Sequence, residues 1–139
     1  MIYDDTGKLI LEKSYNQYIS VAYKFDLPII ILTPTWRANP ERLNLAGFKN
    51  KNVNADCFRF LSKIRNNYGN YSKKIFIGGL IRCKDDAYKT EEALSSEEAY
   101  IFHKSQVKFL TEAGVDFLIA TGLPLFSEAL GIARVMEKS

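Results

Sequence analysis

Three short stretches of the sequence place polar and aromatic side chains directly after apolar, strand-like runs: Thr33-Pro34-Thr35-Trp36-Arg37, Gly79-Leu80-Ile81-Arg82-Cys83 and Ala120-Thr121-Gly122. Reactive groups of parallel α/β folds gather at such strand ends, so these stretches are where chemistry is sought first. Trp36 offers a face for a cationic ligand through cation–π attraction, or is a packing residue. Arg37 can clamp a carboxylate with its planar fork, or pair with Glu41 one turn on. Thr33 and Thr35 either meet a ligand or satisfy their own loop. Cys83 lies between Arg82 and Lys84, an electropositive setting that lowers a thiol pKa, although a thiol with no histidine nearby is inert in most settings.

The remaining candidates carry less. His103, the sole histidine, falls inside a helical stretch with no nucleophile placed beside it, and reads as a structural group bonding a neighbouring loop. Cys57 lies on an apolar helix stripe and reads as core. The sequence has no P-loop, no GxGxxG opening a helix, no HExxH and no CxxC. Phe58, Arg59, Phe60, Lys63 and Arg65 interleave charge with aromatics, but on a helix whose other face is apolar, which is a solvated face.

Composition bounds the partners. The chain has 139 residues, 47% hydrophobic and 25% charged, with a formal charge of +3. These values fit one globular domain and exclude disorder. The small positive surplus is spread along the chain and gives no nucleic-acid signature. Two cysteines far apart make no disulfide framework, which fits a reducing cytoplasm. The acidic N-terminus is unlike a signal peptide, and no apolar run approaches the ~20 residues of a membrane span.

The elements that position these residues follow from periodicity. Leu9 to Phe25 is a helix, and 28–33 (PIIILT) is a strand buried on both faces. Asn39 caps a short helix with Pro40 in its first turn and Gly47 at its end. A helix starts near Asn52, 66–74 is a turn, and 74–81 (KIFIGGLI) is a second strand. After a polar loop, Ser95 and Glu98 form a capping box for a helix ending at Gly114, with Ala99, Phe102, Gln106, Phe109 and Leu110 inward. VDFLIA (115–120) is the third strand, and a last helix runs through Glu128, Ile132 and Met136. Alternating strands and helices predict parallel right-handed crossovers. Three strands cannot close a barrel, and an open sheet of this size leaves edges and helix faces uncovered, so the chain reads as part of a larger α/β structure that self-associates through its strand edges.

The segments TPTWRANPERL (33–43), GGLIRCKDDAY (78–88), the run from Glu97 to Thr121, and SEALGIAR (127–134) resemble, in order and spacing, the homocysteine S-methyltransferase family, which includes betaine–homocysteine methyltransferase. The resemblance implies that residues 1–139 are a partial homocysteine-binding domain, about the second to fourth βα units of a (β/α)₈ TIM barrel. It implies methyl transfer from a sulfonium or quaternary-amine donor to a small-molecule thiol such as homocysteine, assisted by zinc. By position, Thr33, Thr35, Trp36 and Arg37 would line the mouth, Gly79 would match the glycine ending a strand, Asp86 the acidic residue of the next loop, and Thr121 the threonine of a Glu-Thr pair. Ala120 then stands where many members carry the glutamate. Residues 82–85 replace a loop that usually reads Gly-Pro-Arg-Gly. The family's zinc thiolates lie toward its C-terminal half and are matched by neither Cys57 nor Cys83, so the chain alone is expected to be inactive. The alternative is a non-catalytic small-molecule-binding module or a truncated half-barrel remnant.

Overall fold

The computed structural model describes residues 1–139. Helices α1 (Asp5–Lys24), α2 (Pro40–Leu45), α3 (Val53–Asn66), α4 (Ser96–Ala113) and α5 (Phe126–Glu137) alternate with strands β1 (Ile29–Leu32), β2 (Ile75–Arg82) and β3 (Phe117–Thr121). The strands form one parallel sheet in the order β1-β2-β3. No helix is long and apolar enough to cross a membrane.

Local signals explain most boundaries. The Asn39 and Asn52 side chains accept from the amides of Arg42 and Ala55, and Ser95 with Glu98 completes the capping box. Each such cap contributes about 1 kcal/mol. The helix α4 ends on Gly114, whose φ of +94° suits glycine. Helix α1 begins four residues before the expected Leu9, because the carboxylate of Asp4 accepts from the Gly7 amide. A polar first turn leaves no trace in an apolar repeat. The expected turn after α3 is a 3₁₀ helix over Gly69–Lys74.

Strand parity separates the two faces of the sheet. Ile31, Ile75, Ile77 and Ile81 point to the helices and are buried. There they join Ile19, Leu61 and Ile64 on one side, and Val107, Leu110, Ile132 and Val135 on the other. Each such side chain contributes roughly 1.5–3 kcal/mol through burial. The opposite face has no helix layer. Ile30 is 60% exposed and Phe76, its register partner, 43%. The expectation of a strand buried on both faces is therefore corrected: the apolar run of β1 covers both faces, but only one is covered within this chain.

The inward face of α4 also differs from expectation. Ala99, His103, Gln106, Val107 and Leu110 are buried, whereas Phe102 and Phe109 are half-buried. Contacts with α3 and α5 on either flank rotate the buried stripe toward His103 and Val107.

Candidate functional site: the C-terminal edge of the sheet

Parallel strands bring all three strand ends to one edge. Arg37 donates from Nη2 to the Asp85 carbonyl at 3.1 Å, joining the loop after β1 to the loop after β2. The Arg82 guanidinium lies 4.3 Å from the centre of the Trp36 ring. It also covers Gly122, where an added Cβ would stand 2.6 Å from Arg82 Nη2. Trp36, Arg37 and Thr121 are thus gathered around Arg82, which sits opposite Thr121 in the sheet register.

Thr33 and Thr35 are fully buried at the root of this edge. The Leu80 amide donates to Thr33 Oγ1 at 3.0 Å, and Thr35 Oγ1 donates to the Leu80 carbonyl at 2.8 Å. The two hydroxyls lie 2.7 Å apart. Because the Thr35 proton serves Leu80, Thr33 is the donor of that pair. Of the two readings of these threonines, this geometry is the one that satisfies the backbone. Gln106 Nε2 donates to the Thr35 carbonyl at 2.8 Å and to Asn54 Oδ1, while Asn54 Nδ2 donates to the Ala38 carbonyl. A buried polar chain from α3 and α4 therefore holds the first loop from behind.

Gly79 does not end its strand. The strand β2 continues to Arg82, and Gly79 faces the helices, where a Cβ would stand 3.0 Å from Leu118 and 3.2 Å from Leu110. Its lack of a side chain admits α4 rather than a ligand. Asp86 is half-buried, and its carboxylate accepts from the Tyr88 amide at 3.0 Å, an Asx turn that shapes the second loop. Ala120 packs with the helix-facing cluster, and Thr121 is the residue that reaches the edge. By geometry a mouth-lining residue of β3 belongs at 121, not at 120.

The second loop is anchored by a buried acid. Glu128 of α5 accepts from the Lys84 amide at 2.9 Å, and its Oε1 lies 3.1 Å from His103 Nε2. Burial opposes ionisation of Glu128, but the bonds from His103 and the Lys84 and Leu94 backbone outweigh it and hold the pKa below the ordinary value. His103 is structural, as expected, but it acts on the loop through Glu128. Ser127 fixes the far end of the loop by donating to the Leu94 carbonyl.

Both thiols are buried, and the two basic neighbours of Cys83 in sequence do not activate it. Burial raises the Cys83 pKa, and nearby Glu128 adds to the effect beyond what Arg82 and Arg37 offset. Burial pushes the Cys57 thiol to about 12. No group of three or more His, Cys, Asp or Glu side chains in the chain is placed to hold a metal ion. The residues present do not fit a zinc site. Arg37 bonds Asp85 rather than pairing with Glu41.

Sequence reasoning named Arg82 only within its strand-end stretch, with no role of its own, and passed over Glu128 as an anchor. Counting alternate residues from Phe76 through Gly78 and Leu80 places Arg82 on the open face, so parity carried that signal. For Glu128 the signal was an acidic residue on the same stripe as Ile132 and Val135.

A family model described as homocysteine S-methyltransferase matches residues 6–139. Among solved structures, the metallated form of the homocysteine methyltransferase MmuM from Escherichia coli shares 21% identity at a TM-score of 0.70, covering 78% of this chain and 42% of that one. Its oxidized form gives 22% and 0.69, with 78% and 41% covered. The chain therefore spans about two fifths of the length of the structures it matches. No curated relative matches it.

Proposed function

The chain belongs to the homocysteine S-methyltransferase family, and from that premise we propose that it supplies an arc of a methyltransferase barrel whose mouth binds a small thiol and a sulfonium or quaternary-amine methyl donor. The observation that carries this reading is the convergence of Trp36, Arg37, Arg82 and Thr121 at the C-terminal edge of a parallel sheet, within a chain matched by the family along nearly all its length.

The chemistry is an in-line displacement. A thiolate sulfur forms a bond to the methyl carbon as the bond from that carbon to S⁺ or N⁺ breaks, and the electron pair leaves with a neutral thioether or amine. Alignment of the two reactants is the main contribution such a mouth makes. In this proposal Trp36, Arg37 and Thr121 meet substrate, and Asp86 and the Gly79 segment shape the loop and strand behind them. Thr33 and Thr35 are positioning residues that fix the first loop to β2. The thiol must lose its proton before attack, and no group of three His, Cys, Asp or Glu side chains of the chain is placed to hold a metal that would assist that loss. Zinc held by residues outside these 139 is the supply we propose, in a cytoplasmic setting.

A second reading is a non-catalytic binding module that retains the scaffold. Neither Cys57 nor Cys83 belongs to a group of three His, Cys, Asp or Glu side chains placed to hold a metal ion, and this favours it. The two separate on protein isolated from its native source, assayed for zinc content and for methionine formed from homocysteine with S-methylmethionine or betaine. Stoichiometric zinc and turnover support the enzyme. Absence of both overturns it in favour of the module. Turnover by the 139-residue chain alone would contradict an external metal site.

A further inference from the structure

We infer that Arg82, Arg37 and Trp36 form a binding site for the carboxylate of the thiol acceptor. The inference rests on the reading of this edge as a substrate mouth. Neither arginine is ion-paired: the salt bridges of the chain involve other residues, Arg37 donates only to a backbone carbonyl, and Arg82 has no hydrogen-bond partner at Nε, which is buried. Two unpaired guanidiniums lie 4.3 and 5.8 Å from one tryptophan ring.

The Arg82 guanidinium makes a cation–π contact with Trp36 at 4.3 Å but keeps a buried N–H unbonded at Nε. The donors left for a ligand anion are those at Nη, which no protein acceptor engages and which are not among the buried atoms. Arg82 is also held in advance, with its stem in β2 and its plane between Trp36 and Gly122. The fork loses little freedom on binding, and its paired donors match a carboxylate. Thr121, exposed on the neighbouring strand opposite Arg82, adds a hydroxyl donor at the same face. Of the two acidic residues that follow Arg82, Asp85 meets Arg37 through its carbonyl and takes part in no salt bridge, and Asp86 accepts from the Tyr88 amide. The same two cations repel the sulfonium or quaternary ammonium of a donor, which would have to turn that end away to place its own carboxylate here; displacement of 3-mercaptopropionate by betaine in the titration below would assign the site to the donor instead.

Trp36 is the one tryptophan of the chain, so its emission reports the site directly. The chain is titrated with 3-mercaptopropionate, 2-mercaptoethanol, cysteamine and inorganic phosphate. Saturable change with 3-mercaptopropionate, absent with the neutral and cationic thiols, is expected. Arg82→Gln should weaken that binding by about tenfold or more. Arg82→Lys should not restore it, because the flat fork is lost. Arg37→Gln, on an exposed loop, should weaken it less. An equal response to 2-mercaptoethanol, or tighter binding of phosphate, overturns the assignment. So does unchanged affinity in a folded Arg82→Gln chain. If that variant fails to fold, unchanged affinity in Arg37→Gln together with no competition by acetate overturns it as well. Carboxylate binding by the chain, with no zinc and no methyl transfer in protein isolated from its native source, would leave this site standing and sink the enzymatic reading. Turnover insensitive to Arg82→Gln would do the reverse.

Discussion

Replacing Glu128 by alanine should be among the most damaging single changes available outside the apolar core. Glu128 and His103 are each 1% exposed, and their facing atoms lie 3.1 Å apart. The change strips His103 of its partner at Nε2, when Nδ1 already has none, and frees the Lys84 amide. Removing one member of a buried pair costs about 3–5 kcal/mol. Against a typical domain stability of roughly 5–15 kcal/mol, that is a large fraction. Urea unfolding followed by far-UV circular dichroism at pH 7 reads it directly, and the melting temperature should fall by about 10–15 °C. Acidification supplies a second arm. The folded pKa of Glu128 lies below 4.5, so its stabilisation is complete above that value and is lost as pH falls through the lower folded pKa. The gap in stability between the wild-type chain and Glu128→Gln should therefore narrow below pH 4.5. A loss under about 1 kcal/mol for Glu128→Ala, the size of an exposed pair, would refute the reasoning. So would a gap to Glu128→Gln that stays constant into acid.

The glycine pair of β2 gives a test of which face is packed. Gly79→Ala should cost about 1–3 kcal/mol, because its Cβ meets the Leu110 stem on α4. Gly78→Ala should cost less although its Cβ would come closer to its neighbours, since Phe117 and Leu32 can swing on the open face; equal losses in urea unfolding would count against that. Both thiols should resist iodoacetamide at pH 8 in the folded chain and react readily in urea, as burial raises both pKa values; fast native labelling at Cys83 would show the loop is open. The uncovered inner face should drive concentration-dependent self-association or hydrophobic-dye binding, reduced by Phe76→Glu. A monomer at all concentrations by sedimentation velocity, with no dye binding, would show that this face is inert.

Most elements were legible because their signals are local. Asn39-Pro40, Ser95 with Glu98, and Gly114 each fix a helix end through one or two bonds within a few residues, and the structure places them as read. The apolar runs gave the strands, and alternation gave the parallel order. Exposure of Ile30 and Phe76 was not legible, because a run of isoleucines looks the same whether its second face meets a partner or none. The site was legible as a place rather than as roles. Thr35 and Trp36 are adjacent in sequence, yet one is fully buried and the other 47% exposed. That difference depends on Leu80 and Arg82, more than 40 residues along. Likewise the tie between Gln106 and the Thr35 carbonyl spans 71 residues and has no periodic signature.

The pattern of these long-range bonds bears on how the mouth is kept in place. Backbone groups of the first loop are held by Gln106 of α4 and Asn54 of α3, and those of the second by Glu128 and Ser127 of α5. Every one of these anchors approaches from the helix layer, none from the open face of the sheet. The two loops are therefore braced by elements this chain contains, while the open face of the sheet carries none of their anchors. Rigidity of the edge and incompleteness of the interior are compatible because they rest on opposite sides of the same three strands. Arg82 is the exception that joins them. It leaves the inner face, turns across Trp36 and Gly122, and carries its charge to the edge without a protein counter-ion, so occupation by an anion would tie the three strand ends together from the one side that the helices cannot reach.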